Sequence, residues 1–401
     1  MRTFDTVIVG AGIIGLSVAR ELRYRHADMT IAVLEKERQL GLHASGRNSG
    51  VLHSGIYYPV GSLKGRICAA GARALASFCD ANRLPIERIG KVILPVIPSD
   101  DAQLDVLVER ARSNGANASL INERELAELE PAARSCSGRA LWSPNTAVID
   151  PKKILSQLET DLLRSGVEIL KGHRVSDVVE GRLIADNQAI GYGHLVNAAG
   201  LHADVVAKAL GVGSNYRILP FKGLYYEVAP LSPVRIRRLI YPVPDLRVPF
   251  LGVHFTRTPT GEAFVGPSAI PALGRENYQR LEGMNAGDLS SIVAAMARQY
   301  ISGKQGFRTF VAQEVSRLVK SNFVKAAQAL VPQIRGRDLL PSSKVGIRAQ
   351  LFDMRKNEMV MDFLIEQGPR STHVLNAVSP GLTSAFEFAK LVADHVEGAG
   401  G

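Results

Sequence analysis

The chain has 401 residues, 46% of them hydrophobic and 21% charged, enough for one large α/β unit or for two domains with ordinary cores. Lys and Arg number 48 against 38 Asp and Glu, a formal charge of +10 spread along the chain, which admits an anionic substrate, an anionic membrane surface or nucleic acid as partner. Cys68, Cys79 and Cys136 form no CxxC pair, and no HExxH or acidic loop appears, so a disulfide framework and a metal site are both unexpected.

The first predicted element lies in "FDTVIVGAGIIGLSVARELRYR", where the apolar run Thr6–Val9 leads into Gly10-Ala11-Gly12-Ile13-Ile14-Gly15. Ile14, Val18 and Leu22 then recur at helical spacing. This is strand, tight turn and helix. Gly10 permits the turn, Gly12 lets a pyrophosphate approach the backbone, and Gly15 lets helix and strand lie close. The helix start offers free N–H groups to the phosphates. A second strand, "TIAVLEK", ends in Glu35, 20 residues beyond Gly15, where a carboxylate meets the ribose of a dinucleotide. The run Thr6–Ala19 is too short for a bilayer, which needs roughly 18 apolar residues. The N-terminus shows no signal-peptide pattern, so a cytoplasmic location is expected, with peripheral contact at the inner face of the membrane as the alternative.

"SGRNSGVLHSGIYY", from Ser45 to Tyr58, is too polar and glycine-rich for a core element. Asp150-Pro151 reads as a helix start with proline at the first position. Leu155, Leu158 and Leu162 follow at helical spacing, and "GVEILKGHRVSDVVE" supplies strands. "LVNAAGLHAD" is an apolar strand ending in small residues at Ala199 and Gly200. "ILPFKGLYYEVAP" and "RVPFLGVHFTRT" also read as strands; in the second, alternation puts Phe250, Gly252, His254 and Thr256 on one face. Helices are expected at about 287–300 and 310–330, the latter basic and amphipathic. A last strand leads through Ser379-Pro380-Gly381 into a C-terminal helix, whose first amides suit a redox ring that gains negative charge. The glycine motif alone does not separate NAD from FAD.

Taken together, "HASGRNSGVLHSGIYYPVGSLKGRIC", "GKVILPV", "VNAAGLHAD", "YPVPDLRVPFLGVHFTRTPTGEAFVGPSA", "KVGIRAQLFD" and "NAVSPGLTSAFEFAKLVAD" resemble the D-amino-acid-oxidase superfamily of FAD-dependent oxidoreductases. The likeness is greatest to its L-2-hydroxyglutarate dehydrogenase/oxidase branch. The chain departs from the branch's usual pattern at Ala44, Ser45 and Arg47. The resemblance implies an α/β fold: a discontinuous Rossmann-type FAD-binding domain (1–85, 146–215 and 340–401) with a mixed-sheet α+β substrate domain (86–145 and 216–339). It implies that Ser45, Arg47, Asn48 and Ser49 serve the phosphates and flavin, and that Val175 lies near the adenine. Ile14, Lys36, Ala199, Gly200, Gly381, Leu382 and Thr383 join Gly10, Gly12, Gly15 and Glu35 as cofactor-binding positions.

Oxidising a 2-hydroxy acid needs a hydride acceptor, a base for the hydroxyl proton, and a cation on the carboxylate. His53 is the preferred base, because its segment would pass the flavin, and His254 would orient the substrate hydroxyl. Arg348, in "SSKVGIRAQ", would clamp the carboxylate with its planar fork. Tyr241, Lys222 and Lys344 would complete a pocket for a second acidic end. The small-molecule carboxylate is the expected partner, with oxygen or quinone as electron acceptor. An amino acid or amine substrate is the nearest alternative. Nucleic acid is not expected, since stacking platforms are absent.

Overall fold

The computed structural model describes residues 1–279, 282–284 and 286–398. Residues 399–401, the end of the expected piece 340–401, and residues 280, 281 and 285 within 216–339 lie outside the described residues. The first sheet has eight strands. Arg2–Val9 lies between Ile31–Glu35 and Gln188–Asn197, parallel to both, and Glu168–Lys171 extends it beyond Ile31–Glu35. Val7, Ile8 and Val33 are fully buried, as the inner strands of a sheet covered on both faces require. The helices Ile13–Arg25, Pro151–Arg164 and Gly381–Gly398 share a core with it through Leu16, Leu158 and Phe388. Asp150 caps the second of these, its carboxylate accepting from the Lys152 and Lys153 N–H groups at 2.9 and 3.3 Å, with Pro151 at the first position.

A ten-stranded sheet stands over the first. Its spine is the long antiparallel pair Tyr216–Val228 and Leu339–Asp353, in which Arg348 faces Phe221. The strand 339–353 therefore pairs in the large sheet, although 340–401 was expected to close the cofactor unit. The first sheet resumes only at Leu364–Gly368 and Ser371–Asn376.

Two local expectations need correction. The strand expected over 247–258 begins only at His254 and runs to Arg257. Gly252 sits at φ +69°, outside the extended region, so the alternation drawn through Phe250 and Gly252 does not hold. The helix expected over 310–330 is two, Phe307–Arg317 and Lys320–Gln328, separated at Val319, whose backbone is extended.

A small sheet of Val51–Leu52, Ile86–Glu87 and Ala147–Ile149 joins the two layers and presents His53 at its end. Arg275 grips Asp204 through two bonds of 2.6 and 3.1 Å, and both side chains are buried. This pins the stretch after Ile270–Pro271 onto the helix Ala203–Ala209. Among the described residues no helix is long and apolar enough to cross a membrane.

Candidate active site

Between the sheets lies a cavity of about 410 Å3. Its floor at one end is the turn between Arg2–Val9 and Ile13–Arg25. Gly10 has φ +106°, and a Cβ there would meet the Ala198 carbonyl oxygen at 2.5 Å. Gly15 does not line the cavity; it lies beneath, where a Cβ would fall 1.9 Å from the Gly10 oxygen. Gly12, Ile14, Glu35 and Lys36 line the wall. The Ser45 hydroxyl accepts from Ile13 N–H at 2.9 Å, tying the polar segment to the helix start. Glu35 accepts from the Ala11 and Glu37 amides at 3.2 and 3.0 Å, which holds its carboxylate at the strand end.

The other expected cofactor positions also line the cavity: Arg47, Asn48 and Ser49 from the polar segment, Val175 from the first sheet's edge strand, Ala199 and Gly200 from just beyond the inner strand Gln188–Asn197, and Gly381, Leu382 and Thr383 from the last helix. Their side chains are not all aimed inward. Asn48 bonds its own loop, donating to Ser45 O at 2.8 Å and accepting from Gly50 N–H at 2.9 Å. Arg47 donates to Leu42 O at 2.6 Å and lies over the Tyr278 ring at 4.3 Å. Thr383 accepts from His53 N–H at 3.1 Å, linking the last helix to the histidine.

The residues fit an extended dinucleotide. The glycines leave space where a Cβ would intrude, the helix start faces it, and the cavity continues without a break to His53. Gly12 is the sharpest test. A Cβ there meets only the Ser45 hydroxyl, at 2.9 Å, which a rotamer change relieves. Gly12→Val should therefore fold yet leave no room for a pyrophosphate, giving colourless protein. Flavin absorbance at the wild-type ratio to protein would contradict this placement.

The far end of the cavity is lined by His53, Tyr225, Tyr241, His254 and Arg348. Both histidines are buried. Burial first, then Lys91 and the other histidine, pushes His53 down to about 3. Burial chiefly, with Arg348 and Lys91 adding, pushes His254 down to about 3 as well. Both rings are therefore neutral at cellular pH, so each keeps one ring nitrogen as an acceptor. The Nδ1 of His53 is buried without a partner. The Nδ1 of His254 lies 2.8 Å from the Gly252 carbonyl; a carbonyl only accepts, so this nitrogen carries the proton and Nε2 is left as acceptor. Tyr241 stacks on His254 with ring centroids 3.9 Å apart. Arg348 stands over Phe250 at 5.5 Å, and its Nη1 is buried and unpartnered.

Lys222 and Lys344 do not line the cavity. In the strand Tyr216–Val228, Gly223 and Tyr225 face the cavity, so period-two alternation turns Lys222 away. Its Nζ donates to Asn277 at 2.8 Å. Lys344 shares Arg348's face but stands four residues along the strand, roughly 13 Å at the usual rise, over Phe264 and Tyr225.

Two features escaped the sequence reading. Lys91 is wholly buried beside this end of the cavity; the signal was a lysine opening the apolar run "KVILPV". The other is a clasp over the cofactor end. Glu276 meets His202 at 2.7 Å and Lys36 at 2.9 Å, and these partners hold its acid well below the usual carboxylate range. His43 meets Glu37 at 2.9 Å and Tyr278 at 3.0 Å. Glu37, His43 and Glu276 converge as metal ligands would, but the Lys36 ammonium already sits among them, 2.7 Å from His43 Nε2.

A dinucleotide cradle running into a pocket with neutral histidines and an uncommitted guanidinium defines a cofactor-dependent oxidoreductase. The sequence family described as FAD dependent oxidoreductase matches residues 5–395, and the chain belongs to it, with FAD as its cofactor. The chain is 35% identical to the mitochondrial L-2-hydroxyglutarate dehydrogenase of Nematostella vectensis, covering 98% of this chain and 90% of that protein. It is 33% identical to the L-2-hydroxyglutarate dehydrogenase of Escherichia coli K12, with 98% and 93% covered. Among solved structures, FAD-bound L-alpha-glycerophosphate oxidase from Mycoplasma pneumoniae superposes with a TM-score of 0.76 at 20% identity, covering 99% of this chain and 95% of that one. Glycine oxidase from Geobacillus kaustophilus superposes at 0.73 and 16% identity, covering 99% and 95%.

Proposed function

We propose that this enzyme oxidises an L-2-hydroxy acid, foremost L-2-hydroxyglutarate, to the 2-oxo acid. The observation that carries the reading is the unpartnered Nη1 of Arg348 in the same pocket as two neutral, buried histidines. The near full-length relatives support the choice of substrate. Gly10, Gly12 and the start of Ile13–Arg25 would hold the pyrophosphate, Glu35 the ribose, and Gly381–Thr383 the flavin end. When bound, FAD supplies the two-electron acceptor for the hydride leaving the substrate Cα.

The chain's own residues do the rest. Arg348 takes the C1 carboxylate in its fork and so fixes where Cα–H points. His53 accepts the hydroxyl proton, and burial keeps it unprotonated until then. His254, its tautomer set by Gly252, orients the hydroxyl through Nε2. That same tautomer favours a second reading in which His254 is the base and His53 the orienting group. Tyr241 and Leu251 wall the pocket against water. For the electron acceptor we propose oxygen or a quinone. For contact with a membrane we propose the exposed Val315, Leu318 and Val319 beside Arg317 and Lys320, a basic and apolar surface suited to anionic lipid.

A panel of L- and D-2-hydroxy acids and amino acids, mixed anaerobically with the enzyme, tests the reading. L-2-hydroxyglutarate should bleach the flavin fastest and amino acids should leave it yellow. Rapid bleaching by an amino acid, with the hydroxy acids inert, would overturn the substrate class.

A further inference from the structure

A dicarboxylate asks for a second positive charge, and neither Lys222 nor Lys344 lines the cavity. Lys91, first residue of the strand Lys91–Leu94, has no solvent exposure, and its Nζ has no hydrogen-bond partner. The ammonium lies 4.5 Å from the Tyr57 ring centroid and 5.2 Å from that of Tyr241. Tyr241 in turn lines the cavity and stacks on His254, so one aromatic ring separates the charge from the substrate space.

Among the described residues, the groups around it offer no anion. Ser143 and Leu239 flank Lys91 in register on either side. The titratable groups that interact with it are Cys68, from the helix Leu63–Ala81, and His53 and His254 in the cavity wall. Burial pushes the Cys68 thiol up to about 12, so it is uncharged; Arg348 beyond is itself a cation, and burial pushes Lys64, on the far side of Cys68, down to about 8. A buried ammonium held only by aromatic faces is costly, and an anion in the cavity is the charge that would offset it.

We infer that Lys91 is an internal countercharge for the carboxylate substrate, so that an anion entering the cavity and a proton held on the Lys91 Nζ stabilise each other. The inference rests on the carboxylate reading of the pocket. The proton comes from solvent, and no bond to substrate is formed. Burial pushes the Lys91 ammonium down to about 7, so the pocket without its anion gives up this proton as pH rises through neutrality. The anion favours the charged form and raises that value. Binding therefore takes up a proton above pH 7, and affinity falls as pH rises further. His53 and His254 are neutral throughout this range and the Arg348 guanidinium stays charged, so none of them mimics the effect; Lys64 titrates near 8 but is intact in the Lys91 variants, which therefore separate its contribution.

Calorimetric titration of the FAD-loaded enzyme with 2-oxoglutarate, in buffers of differing ionisation enthalpy from pH 6 to 9, reads both affinity and protons. Wild type should take up close to one proton per ligand near pH 8 and few at pH 6. Its affinity should fall about tenfold for each unit by which the anion raises the lysine pKa. Lys91→Met should bind weakly with no uptake. Lys91→Arg should bind tightly at every pH, again with no uptake, because its charge does not titrate here. Wild-type uptake in either variant overturns the inference, and the arginine variant decides it if the methionine variant does not fold. If Arg348→Ala loses binding while the Lys91 variants behave as wild type, the pocket reading survives and the role of Lys91 falls. If wild type binds no 2-oxoglutarate, both fall.

Discussion

Arg348→Ala should lower kcat/KM for the 2-hydroxy acid by roughly 30-fold to several thousand-fold. The substrate carboxylate would enter a desolvated pocket without its fork, and truncating one side of a buried hydrogen-bonded charge pair costs on the order of 2–5 kcal/mol, each 1.4 kcal/mol being about tenfold. Arg348→Lys should recover only part, since an ammonium cannot make two parallel bonds. Flavin content should stay near wild type. Arg348 comes from the ten-stranded sheet, while the pyrophosphate cradle belongs to the eight-stranded one. Wild-type flavin reduction by Arg348→Ala at low substrate would make the arginine a structural residue of its strand.

His53→Ala should differ in kind. Loss of a general base typically slows the proton-transfer step by roughly 10²–10⁴-fold, and the loss should appear in flavin reduction at saturating substrate. Because burial holds His53 and His254 near 3, wild-type reduction should show no acid limb at the ordinary histidine value. It should stay flat as pH falls from neutrality and drop only well below pH 5. His254→Ala is the necessary companion. The variant with the larger loss at saturation identifies the base, and an acid limb near 6.5 in wild type would contradict the burial argument.

Much of the cofactor end was legible because its signals are local. The switch from strand to helical periodicity around Gly10–Gly15, the carboxylate at Glu35 and the Asp150-Pro151 helix start each need only a few neighbouring residues. The substrate end depends on partners far apart in sequence. Nothing within 339–353 says that it pairs with 216–228 instead of closing the first sheet. Lys222 could not be turned away from the pocket until that register was known. The break at Val319 interrupts a helix whose apolar spacing runs straight on, and Gly252 spoils an alternation that holds on paper. Lys91 was hidden for another reason: a lysine in an apolar strand reads as a strand end until the surrounding rings are seen to enclose it.

The central claim is that this FAD enzyme oxidises L-2-hydroxyglutarate in the pocket of Arg348 and His53. A single anaerobic turnover tests it most directly, by mixing enzyme with excess L-2-hydroxyglutarate and measuring flavin absorbance and 2-oxo acid together. The account predicts one 2-oxoglutarate formed for each flavin bleached, and no bleaching by the D-enantiomer. A flavin that stays oxidised with the L-enantiomer, or bleaches without stoichiometric 2-oxoglutarate, would contradict it.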